Sequence, residues 1–333
     1  MKKITYLLLL SACFSFAQST GKVKFSAKIE NRNSDTLTIF GPKKFKHVIP
    51  VNKKGVFEST FEITEGLHQF SDGSESSLLF FKDGYDLNLT MNAKEFDETI
   101  VYKGKGEKEN NYLAKKALTD EVFEMELEGL LEKEEAEFKT ALEKKKTSDL
   151  ANLENAGLDA KLVDIAKPMI NQEGMMLMQY FNQKASAKKL ENAVAPSFDY
   201  ENHKGGKTKL EDLRGKYVYI DVWATWCGPC RAEIPHLKKL EEHYHDKNNV
   251  VFVSISVDKA KDHEKWKNFV VEKELGGVQL FADNDWNSEF VKGYQINGIP
   301  RFIIIGPDGN IVNADAPRPS SGDIYETFDK LLK

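Results

Sequence analysis

Apolar and polar positions alternate in short bursts over the first third of the chain. Val23-Lys-Phe-Ser-Ala-Lys-Ile29 sets every second residue to one face, as a half-buried strand requires. Residues 37–40, 55–63, 77–81 and 85–91 continue the pattern, and Gly41-Pro42, Asp72-Gly73 and Asp83-Gly84 are turn signals between them. Short strands punctuated in this way predict an antiparallel, sandwich-like β domain over residues 21–106. Its role is either client docking or purely structural. His47 and His68 stand alone there and read as surface or strand residues, not as ligands.

From 107 to 190 the period changes. Gly and Pro nearly vanish, and Phe123, Leu127, Leu130, Leu131, Phe138 and Leu142 recur on one helical face. This predicts a charged helical connector, which Gly157 and Pro168 divide into several helices. No heptad is sustained, so no long coiled coil is expected. Met169, Met175, Met176 and Met178 raise the idea of soft-metal binding, but methionine at helical spacing reads first as core filling.

The last stretch alternates strand and helix. Tyr217–Trp223 is strand-like, and residues 250–257 form a near-continuous apolar run, as in a parallel strand covered on both faces. A helix follows over 262–274, with Trp266, Phe269 and Val270 inward, then a strand over 302–305. Ile324, Phe328, Leu331 and Leu332 mark a closing amphipathic helix. This order predicts an α/β domain over residues 194–333. The fold class is therefore multidomain: β-rich, then helical, then α/β.

Composition adds the compartment. The formal charge of −5 gives no cationic footprint for nucleic acid. Met1-Lys2-Lys3 followed by an apolar run has the layout of a signal peptide over residues 1–17, cleaved after Ala17. Leu10-Ser-Ala-Cys13 also fits a lipoprotein processing box, in which Cys13 would be lipidated and membrane-anchored. Once Cys13 is gone, Cys227 and Cys230 are the only cysteines left.

Those two cysteines carry the chemistry. Trp226-Cys-Gly-Pro-Cys230 lies where the strand gives way to a helix. A thiol at a helix N-terminus faces unpaired N–H groups and the positive end of the helix dipole, which favour the attacking thiolate. A redox pair is the first reading. A structural disulfide is the second. Zinc is the third, because it needs four ligands and only His236, His243 and His245 are at hand. No cofactor and no metal is called for.

Asp221-Val-Trp-Ala-Thr-Trp-Cys-Gly-Pro-Cys230 resembles a thioredoxin active site, and Arg231-Ala-Glu-Ile-Pro-His236 is similar to the exported TlpA/ResA-like branch of that superfamily. Gly298-Ile299-Pro300 stands in the place of its cis-proline loop. The likeness covers residues 194–333, with 258–297 as the branch's inserted helix and strand. The layout of the front half resembles the β-rich domain that often precedes such modules. The resemblance implies an exposed attacking thiolate at Cys227 and a resolving thiol at Cys230. Asp221 and Glu233 would accept its proton, and burial should raise the pKa of Asp221. Trp226 would cover the site, and Ile299 and cis-Pro300 would bind the client. Arg301, where many thioredoxins have threonine, would favour acidic clients. Gly228-Pro229 resembles reducing members. The implied partners are disulfide-containing envelope proteins, apocytochrome c among them, and a membrane thiol electron donor. The alternatives are a peroxiredoxin-like peroxidase, whose Pro-x-x-x-Thr-x-x-Cys pattern this chain lacks, and a non-enzymatic binding module.

Overall fold

The computed structural model describes residues 20–333. The expected signal peptide, its Ala17 boundary and Cys13 lie outside the described residues. The chain divides into two compact units that meet in sequence at Gln179 and Tyr180.

The first unit opens with β1 (Thr20–Glu30), β2 (Thr36–Gly41), β3 (Phe45–Pro50), β4 (Phe57–Thr64), β5 (Gly66–Ser71), β6 (Ser76–Phe81) and β7 (Asp86–Asn92). A single helical turn, α1 (Phe96–Thr99), leads to β8 (Val101–Lys105). The strands form two four-stranded sheets, ordered β4-β1-β7-β8 and β3-β2-β5-β6. Val23, Phe25, Ala27 and Ile29 are buried while Lys24 and Lys28 are exposed, as the alternation predicts. Residues of both sheets join one hydrophobic core through Phe25, Leu37, Phe61, Phe70, Phe81 and Leu87. The pairing is not wholly antiparallel, as expected from short hairpins: β1 runs parallel to β7, with Phe25 opposite Leu87. The chain between those two strands forms all of the other sheet and the edge strand β4, and such a long connection allows a parallel return.

Three long helices follow: α2 (Glu107–Leu131), α3 (Glu135–Asn155) and α4 (Ala160–Leu190). Gly157 marks a break, in the left-handed conformation (φ +61°) that glycine adopts without a Cβ clash. Pro168 does not mark one; it lies inside α4. The buried stripe Leu162, Ala166 and Ile170 runs past it, with Pro168 on the exposed side. Packing of that stripe outweighs the one backbone hydrogen bond proline forfeits. The helices up to Gln179 belong to the first unit. Lys145 bridges Asp120, Asp149 and Glu173 at 2.7, 2.8 and 2.6 Å. Lys116 joins the same three acids, so among the described residues ammonium groups occupy the place where three carboxylates converge.

The second unit contains β9 (Asp199–Asn202), β10 (Lys207–Lys209), β11 (Tyr217–Trp223), α5 (Gly228–His243), β12 (Val250–Ser256) and α6 (His263–Glu272). It continues with β13 (Val278–Phe281), α7 (Glu289–Gly293), β14 (Arg301–Ile305), β15 (Ile311–Asn313) and α8 (Asp323–Leu331). Seven strands form one sheet in the order β10-β9-β13-β12-β11-β14-β15. β11 pairs parallel with β12 and antiparallel with β14, so it lies in the interior of the sheet beside its middle strand, β12. The β11 residues from Val218 to Trp223 are all buried, which explains why all of them but Asp221 are apolar. Among the described residues no helix is long and apolar enough to cross a membrane.

Candidate functional site

β11 delivers the chain to the start of α5, and Cys227 is the residue that caps that helix. Its Sγ accepts a hydrogen bond of 3.1 Å from the Cys230 N–H. That N–H is one of the donors a helix start leaves unpaired. Pro229 occupies the first turn, where its missing N–H costs nothing. Cys227 and Cys230 are joined as a disulfide, with an S–S distance of 1.96 Å.

The pair is less open than its sequence position implies. Cys227 is only 4% exposed and Cys230 2%, so the expectation of an exposed Cys227 is corrected for this disulfide form. Both sulfurs join the hydrophobic core of the unit. The Ile299-Pro300 peptide is cis, as the resemblance implies. The Ile299 carbonyl oxygen lies 3.8 Å from Cys227 Sγ, which places this loop against the outer sulfur. Trp226 does not seal the site; it is 53% exposed and stands as an apolar surface beside the disulfide.

The two acids differ in setting. Asp221 is buried on β11, and its Oδ1 has no hydrogen-bond partner. Burial, with the nearby charges of Glu233 and Glu241, pushes its pKa up to about 8. Glu233 is also buried, one helical turn beyond Cys230. Its two oxygens accept hydrogen bonds from the Ser320 N–H at 2.9 Å and the Ser320 hydroxyl at 2.8 Å. It thereby ties α5 to the segment before α8, and its charge reaches Asp221 through space.

Arg301 is corrected most clearly. It lies 2% exposed, not at an open groove. Its guanidinium pairs with Asp315 at 2.5 Å, and Asp315 also takes Lys184 at 3.0 Å. All five residues of β14 are buried, so a side chain there has no path to solvent.

Asp258 escaped the sequence reading. It is fully buried, and its carboxylate accepts from the Thr225 N–H, the Thr225 hydroxyl and the Ser256 hydroxyl, each at 2.8 Å. It fixes the turn that carries Cys227. The available signal was an acid at the end of an apolar strand, but its partner is 33 positions away. The arrangement amounts to a disulfide at a helix N-terminus, a backbone acceptor opposite it and a buried acid of raised proton affinity.

Comparison with known proteins agrees in kind. Residues 192–314 match the AhpC/TSA family. The thioredoxin-like protein YneN of Bacillus subtilis is 38% identical over 161 residues, 48% of this chain and 91% of that protein. The thiol-disulfide oxidoreductase ResA of the same organism is 28% identical over 144 residues, covering 43% and 76%. ResA of Bacillus cereus is 30% identical over 137 residues, covering 41% and 76%. The thioredoxin domain of a thiol-disulfide oxidoreductase from Bacteroides vulgatus aligns with a TM-score of 0.39 at 31% identity, covering 43% of this chain and 98% of that one.

Proposed function

We propose, for a chain that belongs to the ResA-like, thioredoxin-like thiol-disulfide oxidoreductases, that it reduces disulfides of exported proteins by cycling Cys227 and Cys230. The observation that carries this reading is the Cys227 sulfur, held by the Cys230 N–H at 3.1 Å and faced by the Ile299 carbonyl at 3.8 Å. The same N–H would stabilise a Cys227 thiolate.

The thiolate attacks one sulfur of the client disulfide, and the client's other sulfur leaves as a thiolate. The Cys230 thiol then gives its proton to Asp221 and attacks Cys227 Sγ. The second client thiolate leaves and the protein's own disulfide closes. Two electrons have passed to the client. Ile299 offers its carbonyl to an extended client segment, and Trp226 offers apolar surface beside it. Glu233 acts through its charge, which helps Asp221 hold a proton.

The Gly228-Pro229 pair favours the reducing direction, with a potential nearer about −270 than about −120 mV. In an oxidising envelope the electrons come from a membrane thiol carrier. Disulfide-bearing envelope proteins are the clients, with apocytochrome c the first to test. Export follows the signal-like start, with a mature chain beginning at Gln18; lipidation at Cys13 is the alternative. A thiol peroxidase has the AhpC/TSA match in its favour. Against it, the Thr225 hydroxyl is committed to Asp258.

Cys230→Ser should accumulate mixed disulfides with envelope proteins, and Cys227→Ser should abolish reduction of insulin. Trapping by Cys227→Ser instead would reverse the roles. A potential near the oxidant end would overturn the reducing direction.

A further inference from the structure

With its pKa raised to about 8, the buried acid of the resolving step holds a proton near pH 7 and must lose it before it can take one from Cys230. Asp221 lies on β11 with β12 on one side and β14 on the other. The strand neighbour that faces it across β12 is Ser254, a neutral residue. One cavity touches Asp221. It has a volume of about 10 Å³ and is lined also by Ser254, Lys238, Glu241, Gly276 and Gln279. That is the space one water needs.

Glu241 is the acid that reaches this cavity from α5. It lies eleven positions after Cys230, three helical turns along the same face as Cys230, Ile234 and Lys238. Its carboxylate has a place made for it. A Cβ on Gly276 would sit 2.2 Å from Glu241 Oε2, so the carboxylate fills the space a side chain would take. Burial pushes the Glu241 pKa up to about 7, against the opposing charges of Lys238 and Lys204. Asp221 and Glu241 thus hold protons with similar strength near neutral pH, as a relay between them requires. The other charged groups facing the pair are Glu233 and Lys238 on α5 and Lys204 in the turn between β9 and β10. β12 and β13 bring only the neutral Ser254 and Gln279.

We propose that Glu241 is the proton outlet of this site, exchanging with solvent, through one water in the cavity, the proton that Asp221 takes from Cys230. The proposal rests on the reading of Asp221 as the base for Cys230. In the resolving step the Cys230 S–H bond breaks and the Asp221 carboxylate gains the proton. Beforehand, and again after each turnover, Asp221 gives a proton to the water as the water gives one to Glu241, and Glu241 releases it to solvent. No electrons move in the relay. Glu241 never touches the sulfurs; it is a positioning residue for the proton.

Single-turnover reaction of the reduced full chain with a small peptide disulfide separates the first thiol released, by attack, from the second, by resolution. In Glu241→Gln the attack phase should keep its rate. The resolving phase near pH 7 should slow roughly tenfold, less than the about 10²–10⁴ lost with a proton-transfer group itself. Added imidazole buffer should restore it. Gly276→Ala, which keeps the acid but displaces its carboxylate, should show the same defect and the same rescue. A wild-type resolving rate in Glu241→Gln, with Asp221→Asn slow, overturns the outlet and leaves Asp221 as the base. Wild-type rates in both variants remove Asp221 from the mechanism and the outlet with it. Slowing that imidazole does not relieve means a structural role for Glu241 and also overturns the outlet.

Discussion

Both oxygens of the Asp258 carboxylate are occupied by a single residue, Thr225, through its backbone N–H and its hydroxyl, each at 2.8 Å. Thr225 stands two residues before Cys227, so this double attachment sets where the reactive turn begins.

Removing the carboxylate strands three buried donors. Asp258→Ala is expected to destabilise the second unit by about 3 kcal/mol, because each buried unpaired group costs about 1–3 kcal/mol. Thr225→Val removes only the hydroxyl bond and should cost about 1 kcal/mol. Urea unfolding of the oxidised chain measures both. Equal losses in the two variants would show that Asp258 acts through the hydroxyl alone.

Stability should fall as pH rises across the neutral range. Asp221 has an ordinary value of 3.8 and a folded value of about 8. Below pH 4 it is protonated in both states and contributes nothing. Between 4 and 8 the unfolded chain releases this proton while the folded chain keeps it, so unfolding gains with each pH unit. Above 8 the penalty stays constant. Glu241, raised to about 7, acts with the same sign. Asp221→Asn should therefore stabilise the oxidised protein at pH 8 by about 2–4 kcal/mol and flatten the slope. Thermal unfolding from pH 5 to 9 tests this; an unchanged slope in the variant would place the titration elsewhere.

The buried ion pair behind the cis-proline loop should respond unequally at its two ends. Asp315→Ala leaves the Arg301 cation unpaired at 2% exposure, a loss of about 3–5 kcal/mol. Arg301→Met leaves Asp315 with Lys184 at 3.0 Å and should cost less. Because Arg301 does not reach the surface, Arg301→Met should also leave the ratio of exchange rates for acidic and basic peptide disulfides unchanged. A shift in that ratio would return Arg301 to client selection.

Trp226 separates surface from stability. At 53% exposure, Trp226→Ala should change the unfolding free energy by no more than about 0.5 kcal/mol. It should nevertheless slow exchange with protein disulfides more than with small aromatic disulfides. Equal slowing for both substrates would mean that the indole shapes the sulfur pair itself.

Periodicity located the elements that bury a regular face. β11 was legible to its ends because an interior strand buries both faces, which makes every position from Val218 to Trp223 apolar except Asp221. β3 and β5 were not, since FKHVIP is mostly exposed and GLHQFS buries a histidine. The site divides in the same way. Cys227, Cys230 and Pro300 sit in contiguous motifs. Asp258 with Thr225, Arg301 with Asp315 and Glu233 with Ser320 are pairings between distant segments, and no local pattern records them. Arg301 misled because its type suggests a surface, whereas its strand is buried throughout.

The seclusion of the disulfide sets a kinetic order among its reductants. With Cys227 and Cys230 only 4% and 2% exposed, a collision from solvent seldom reaches a sulfur along the S–S axis. A freely diffusing thiol such as glutathione must wait for such an approach. A protein donor that lays an extended segment along the Ile299 carbonyl arrives already aligned. Two reductants of equal driving force will therefore discharge into this disulfide at unequal speeds, and the protein can remain oxidised beside a small-thiol pool that is thermodynamically able to reduce it.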